Sequence, residues 1–114
     1  METETVERLQ ARIEEIKRIL SDLGEMRPGS LSEQYNVCGN PHCRCKDPEN
    51  PRRHGPYFQL SYTHKGRSRS EFVRKQDVEE MRRRIANYRT FKELSAEWVD
   101  LSIRIGKLKK SCGT

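Results

Sequence analysis

The sequence predicts an α+β protein: an N-terminal helix, a small antiparallel β-ribbon of two or three strands stapled by a Cys/His cluster, and a long C-terminal helix. Three observations carry that expectation. Apolar residues recur at heptad spacing near both ends, an alternating aromatic and β-branched run lies between them, and Cys38-x4-Cys43-x-Cys45-x8-His54 precedes that run. The expected segments are a helix over 1–26, a Cys/His knuckle and hairpin over 27–75, a helix over 76–110 and a frayed tail at 111–114.

In the first segment Val6, Leu9, Ile13, Ile16, Leu20 and Leu23 follow steps of three and four, a narrow apolar seam on a helix of about five turns. Gly24 and then Pro28-Gly29 end it, because proline lacks an amide hydrogen and glycine favours caps and turns. In the middle, Tyr57 to Thr63 alternates, placing Phe58, Leu60 and Tyr62 on one face and Tyr57, Gln59, Ser61 and Thr63 on the other. Arg67 to Val73 returns beside it through a loop in which Gly66 supplies positive φ, and Leu31 to Val37 is a candidate third strand. The final segment, from about Gln76 to Lys109, sets Val78, Met81, Ile85 and Tyr88, then Leu94, Trp98, Leu101, Ile105 and Leu108, on the same rhythm. Two successive steps of three around Phe91 overwind the pattern, so one long helix is expected whose apolar face rotates there. The two helical seams are expected to pair in a coiled-coil-like manner, within one chain or between two, and a homodimer is favoured because a short helix leaves part of a longer seam bare.

Thiolates with one imidazole select zinc ahead of magnesium or calcium, and a Cys3His set fills a tetrahedral ion and leaves no open position. Cys38, Cys43, Cys45 and His54 are thus expected to hold a structural Zn2+, making the middle segment a zinc-stapled ribbon. Gly39 and Pro41 turn the first ligand loop, and Arg44, Lys46, Arg52 and Arg53 favour the deprotonated thiols. His42 competes with His54 for the fourth position. An iron-sulfur cluster with Cys112 as a distant ligand, and redox pairing of Cys43 with Cys45, are the alternatives; the former has its second gap one residue short of the plant-type spacing.

At 114 residues, with 35% charged and 32% hydrophobic, the chain cannot bury a large core, so metal or oligomerisation is expected to add stability. A charged N-terminus without an apolar signal region, and the absence of a long apolar run, lead to the expectation of a soluble, cytoplasmic protein with no membrane role. The net charge of +6 is uneven: residues 1–43 carry 5 Lys/Arg and 8 Asp/Glu, whereas residues 44–92 carry 14 and 6. Basic charge concentrated in one part of a small domain is the usual footprint of a polyanion, most often nucleic acid. The expected contacts are Arg44, Lys65, Arg67, Arg69, Arg74, Lys75, Arg82 and Arg83, with Arg84 beside them. Without an evident base-reading array, salt-sensitive and weakly sequence-selective binding to DNA or RNA is expected. Tyr57 or Tyr62 can stack on a base, or simply fill the ribbon's core. No phosphate loop and no paired acid, base and nucleophile occur, so no enzymatic activity is expected.

The run Cys38-Gly39-Asn40-Pro41-His42-Cys43-Arg44-Cys45, followed by His54-Gly55-Pro56-Tyr57 and by Lys65-Gly66-Arg67-Ser68, resembles a family of short, uncharacterised prokaryotic proteins. The likeness spans roughly residues 27 to 108. Similar segments occur in or near transposon-associated proteins, so the resemblance implies a nucleic-acid setting. The competing expectation is a coiled-coil interaction module in which zinc only fixes the join between the arms.

Overall fold

A computed structural model describes residues 4–36, 40–49 and 54–111. In chain order the elements are α1 (Val6–Asp22), β1 (Ser30–Asn36), β2 (His54–His64), β3 (Arg67–Val73) and α2 (Val78–Ser111), with 3-10 turns at Arg44–Lys46 and Lys75–Asp77. The class is α+β, with an N-terminal helix, a three-stranded antiparallel sheet and a long C-terminal helix. The chain forms two compact units, one of Met1–Met26 with Ala86–Thr114 and one of Arg27–Ile85. Among the described residues no helix is long and apolar enough to cross a membrane.

In the helical unit, α1 is capped by Thr5, whose backbone is extended and whose side-chain Oγ1 accepts the amide of Arg8 at 3.2 Å. The Oγ1 cap satisfies one of the donors a helix start leaves open, and the Thr5 carbonyl accepts the Leu9 amide at 3.1 Å. Leu9, Ile13 and Ile16, three residues of the predicted seam, are buried with Leu101, and Leu20, Leu94, Trp98, Ile105 and Leu108 pack around them. Burial of each large aliphatic side chain contributes about 1.5–3 kcal/mol. Arg12 reaches Glu97 through Nε at 2.6 Å and Nη2 at 2.9 Å, while Arg104 donates to Glu4 at 2.8 Å. Partner numbers fall along α2 as they rise along α1, so the two helices run antiparallel, and the pairing left open by spacing occurs within one chain.

In the sheet unit the strand order is β1-β2-β3, with both neighbouring pairs antiparallel. β3 has the predicted bounds; β2 begins earlier, at His54, and β1 is the third strand, ending at Asn36. Lys65 and Gly66, with φ of 52° and 77°, form the two-residue loop between His64 and Arg67, the doubly positive turn that matches strand twist. Phe58, Leu60 and Val73 lie on one face and bury against Val78, Met81 and Ile85, with Leu31 and Tyr62 beside them. The other face is open: Tyr57, Ser61, Thr63 and Phe72 are exposed along it.

α2 runs unbroken through Phe91, and it starts two residues later than the sequence predicts because Lys75–Asp77 winds as a 3-10 turn. Val78, Met81 and Ile85, before Phe91, belong to the sheet core; Leu94, Trp98, Leu101, Ile105 and Leu108, after it, belong to the helical core. The shift of rhythm around Phe91 thus separates two apolar stripes on one helix.

Candidate metal knuckle and nucleic-acid interface

Asn40 to Glu49 is a polar segment with almost no apolar side chains, and it holds its shape by local turns. The Asn40 carbonyl accepts the Cys43 amide at 3.2 Å, and the Cys43 carbonyl accepts the Lys46 amide at 3.0 Å. These bonds put Cys43 at the head of the Arg44–Lys46 turn and Cys45 inside it. Cys45 is 3% exposed and Cys43 is half-buried, whereas His42, Arg44 and Lys46 are exposed. Within this polar turn one cysteine residue is buried and another, two positions away, is half-buried, and thiolates are the soft donors that a zinc-type ion takes. At the backbone level β1 and β2 pair Asn36 with His54, so the strand that leads to Cys38 ends opposite His54. Cys38 and the side chain of His54 lie outside the described residues, as do Arg52, Arg53 and Cys112. Among the described residues no three potential metal-binding side chains gather.

The expected nucleic-acid contacts divide by their local partners. Arg74 pairs with Asp77 at 3.1 Å, and Arg83 pairs closely with Glu80, whose Oε1 also lies 3.5 Å from Arg84 Nε. The hydrogen bond from Arg83 holds Glu80 below the usual carboxylate range, and the same contact raises the guanidinium. Lys65, Arg67, Arg69, Lys75 and Arg82 are exposed and make no ion pair among the described residues. Lys65 occupies the hairpin tip, and Arg67 and Arg69 stand on the edge strand β3 opposite His64 and Tyr62. Their register puts both arginines on the sheet face that carries Leu60 and Phe58, at the end towards the hairpin tip. Arg44 is exposed in the knuckle.

The two candidate stacking tyrosines have different surroundings. Tyr62 is engaged from two sides: Arg27 Cζ lies 5.4 Å from its ring centre, and its hydroxyl donates to Glu71 Oε1 at 3.2 Å. Arg27 Nη2 donates to the same carboxylate oxygen at 2.8 Å. These bonds, that from Arg27 foremost, hold Glu71 below the usual carboxylate range against the opposing effect of burial. Tyr57 instead faces the open side, 38% exposed, with its ring 6.4 Å from that of Phe72, itself 68% exposed. Phe72 and Arg27 escaped sequence reasoning. Phe72 carried a signal, since alternation across β3 sets it on the face opposite Val73, but Arg27 meets Glu71 across 44 positions of sequence.

No curated protein and no solved structure matches the chain. A family described as a domain of unknown function, DUF6788, matches residues 6–83, from the first turn of α1 through the knuckle and sheet into the start of α2. That span is more than half of the chain, and the chain belongs to the DUF6788 family.

Proposed function

We propose that the protein is a small, basic nucleic-acid-binding protein whose knuckle is fixed by a structural Zn2+ held by Cys38, Cys43, Cys45 and His54. The observation that carries the reading is the set of exposed cations with no carboxylate partner among the described residues, Lys65, Arg67, Arg69, Lys75 and Arg82, all within residues 27–85. Phosphates would supply the missing counter-charge, and such contacts position a protein without specifying bases. Zinc is supported by the donor chemistry of the 40–49 turn, where Cys45 is buried in a segment without an apolar core. Bound there, it would supply a tetrahedral cross-link and no chemistry. The resemblance to transposon-associated segments supports a mobile-element or regulatory setting for this reading, and a thiolate-rich cluster suits the reducing cytoplasm. We ascribe no enzymatic step to the chain.

The test is elemental analysis of untagged protein followed by titration of a fluorescent oligonucleotide at two salt concentrations. About one zinc per chain with salt-dependent binding is the expected result. Replacing Arg67 and Arg69 by Ala should weaken binding and reduce the salt slope by about two units at most. Equal affinity in wild type and variant would remove those arginines from the interface. Cys43→Ser should release the metal and melt the ribbon while α1 persists; an unchanged thermal transition would sink the structural-metal reading.

A second reading, a coiled-coil interaction module that homodimerises through its helices, is favoured by one observation. Val99 and Ile103 on α2 are 60% and 52% exposed although α2 already buries its other stripe in the helical core. Zinc without any oligonucleotide binding, together with a dimer by light scattering that Ile103→Lys abolishes, would favour this module.

A further inference from the structure

We propose that the open face of the sheet is a stacking platform for unpaired bases, with Tyr57 and Phe72 each taking one base of a single-stranded nucleic acid. The inference rests on the nucleic-acid reading above and narrows its ligand to single strands. Antiparallel register sorts the sheet's side chains strictly. Glu33 lies opposite Phe58 and Glu71 opposite Leu60, so both carboxylates of the sheet fall on the helix-covered side. The open side carries Ser30, Ser32 and Gln34 from β1, facing Ser61, Gln59 and Tyr57 of β2, and then Ser70 and Phe72 of β3. It therefore offers hydroxyls, amides and two aromatic rings, and no negative charge to repel a phosphodiester.

A Phe 68% exposed on an edge strand is costly in water unless something covers it. A protein partner is the poorer fit. Three strands about 4.8 Å apart, paired over about seven residues, offer roughly 300 Å², well short of the ~800 Å² each side contributes to a standard protein interface. A base is the right size for one ring. The ring centres lie 6.4 Å apart and the planes are inclined by 54°, so the two rings take successive bases splayed apart and do not clamp one. Duplex bases, stacked at about 3.4 Å, cannot reach that spacing while paired. Lys65 lies at the hairpin tip and Lys75 three residues after Phe72, while Arg67 and Arg69 stand on the same edge strand, β3, with their register on the opposite face. Long arginine side chains on an edge strand can bring their heads to a backbone lying along that edge.

The test uses the full chain with three fluorescent probes of one sequence, as single-stranded DNA, single-stranded RNA and duplex DNA, at one fixed salt concentration. Wild type should bind the single strands more tightly than the duplex. Phe72→Ala should weaken single-strand binding about five- to a hundredfold, the range for loss of one base–aromatic stack, and leave duplex affinity unchanged. Phe72→Trp should retain binding, and its emission, after subtraction of the Trp98 signal of wild type, should be quenched by single strands alone. Salt-dependent binding that is equal for single strands and duplex, or unmoved by Phe72→Ala, overturns the platform while the broader nucleic-acid reading stands. No binding to any probe overturns both. Whichever of the DNA and RNA strands binds more tightly identifies the sugar the edge contacts prefer.

Discussion

In the helical unit Leu9, Ile13 and Ile16 bury along two turns of α1 against Leu101 of α2, whereas in the sheet unit Phe58, Leu60, Val73, Val78, Met81 and Ile85 come from three separate elements. The first core is written in a local repeat and is supported at its rim by Arg12 with Glu97 and Arg104 with Glu4. The second depends on register between strands, on a two-residue turn and on the Arg27, Glu71 and Tyr62 contact. Regular packing and candidate function are therefore divided: the sheet unit, with the more scattered core, also carries the cysteine turn, the exposed cations that make no ion pair among the described residues, and the exposed aromatic pair. An open sheet face contributes nothing to the core, so each remaining buried residue matters more.

The largest effects should come from emptying the centre of each unit. Leu60 and Ile16 are both 0% exposed, and truncation of either to Ala should cost about 2–5 kcal/mol. The comparison predicts different distributions of that loss. Leu60→Ala should strip amide-exchange protection from β2 and β3 while α1 stays protected, and Ile16→Ala should do the reverse, with Trp98, the chain's single tryptophan, reporting the helical unit. Equal loss of protection everywhere in both variants would show one cooperative body and erase the distinction.

The same contrast explains what was legible in the sequence. A heptad repeat needs only local spacing, so the buried residues of α1 and the later stripe of α2 follow directly from positions such as Leu9, Ile13 and Leu101. Alternation likewise told which residues of β2 share a face. It did not tell which face α2 covers beyond the apolar residues, nor that Arg67 and Arg69 share that face with Tyr62, because this depends on the register set by Lys65 and Gly66. Arg27 meeting Glu71 is a long-range contact with no local period. The backbone pairing of Asn36 with His54 is likewise a property of strand register that neither residue's neighbours encode.

A middle-sized effect tests how far the sheet unit relies on backbone fit. Gly29, just before β1, has φ of +126°, and a Cβ there would lie 2.6 Å from the Ser61 carbonyl oxygen. Gly29→Ala should destabilise by about 1–3 kcal/mol from the backbone conformation alone, with the close approach to β2 adding to it. Urea unfolding followed by exchange of β2 amides should register the loss, while Gly106→Ala on α2, where an added methyl meets nothing within 4 Å, should be neutral or stabilising for the Trp98 transition. If Gly29→Ala matches wild type, the chain before β1 adapts freely and backbone fit is not what limits the unit.

The smallest effect separates the units by acid. Arg12 holds Glu97 below the usual carboxylate range, chiefly through the guanidinium hydrogen bond, and Arg27 does the same for Glu71 with help from the Tyr62 hydroxyl. A carboxyl whose folded pKa is depressed stabilises the fold above its unfolded value, near 4.3 for Glu, and that contribution is lost as pH falls through the lower folded value. Both carboxylates are more than a third exposed, so water screens them and the contributions are modest. Between pH 6 and pH 3 both units should therefore weaken slightly. Glu97→Gln should flatten the acid dependence of the Trp98 transition and leave β2 exchange with its wild-type pH profile, and Glu71→Gln should do the opposite. Tyr62 gives the sheet pair a further signature: with the carboxylate neutralised, its hydroxyl loses a charged acceptor, so Glu71→Gln should also shift the tyrosine near-UV signal, a change Glu97→Gln has no means to produce. If one substitution flattens both profiles, the two ion pairs report a shared unfolding step and the helical and sheet units must be treated as a single thermodynamic body.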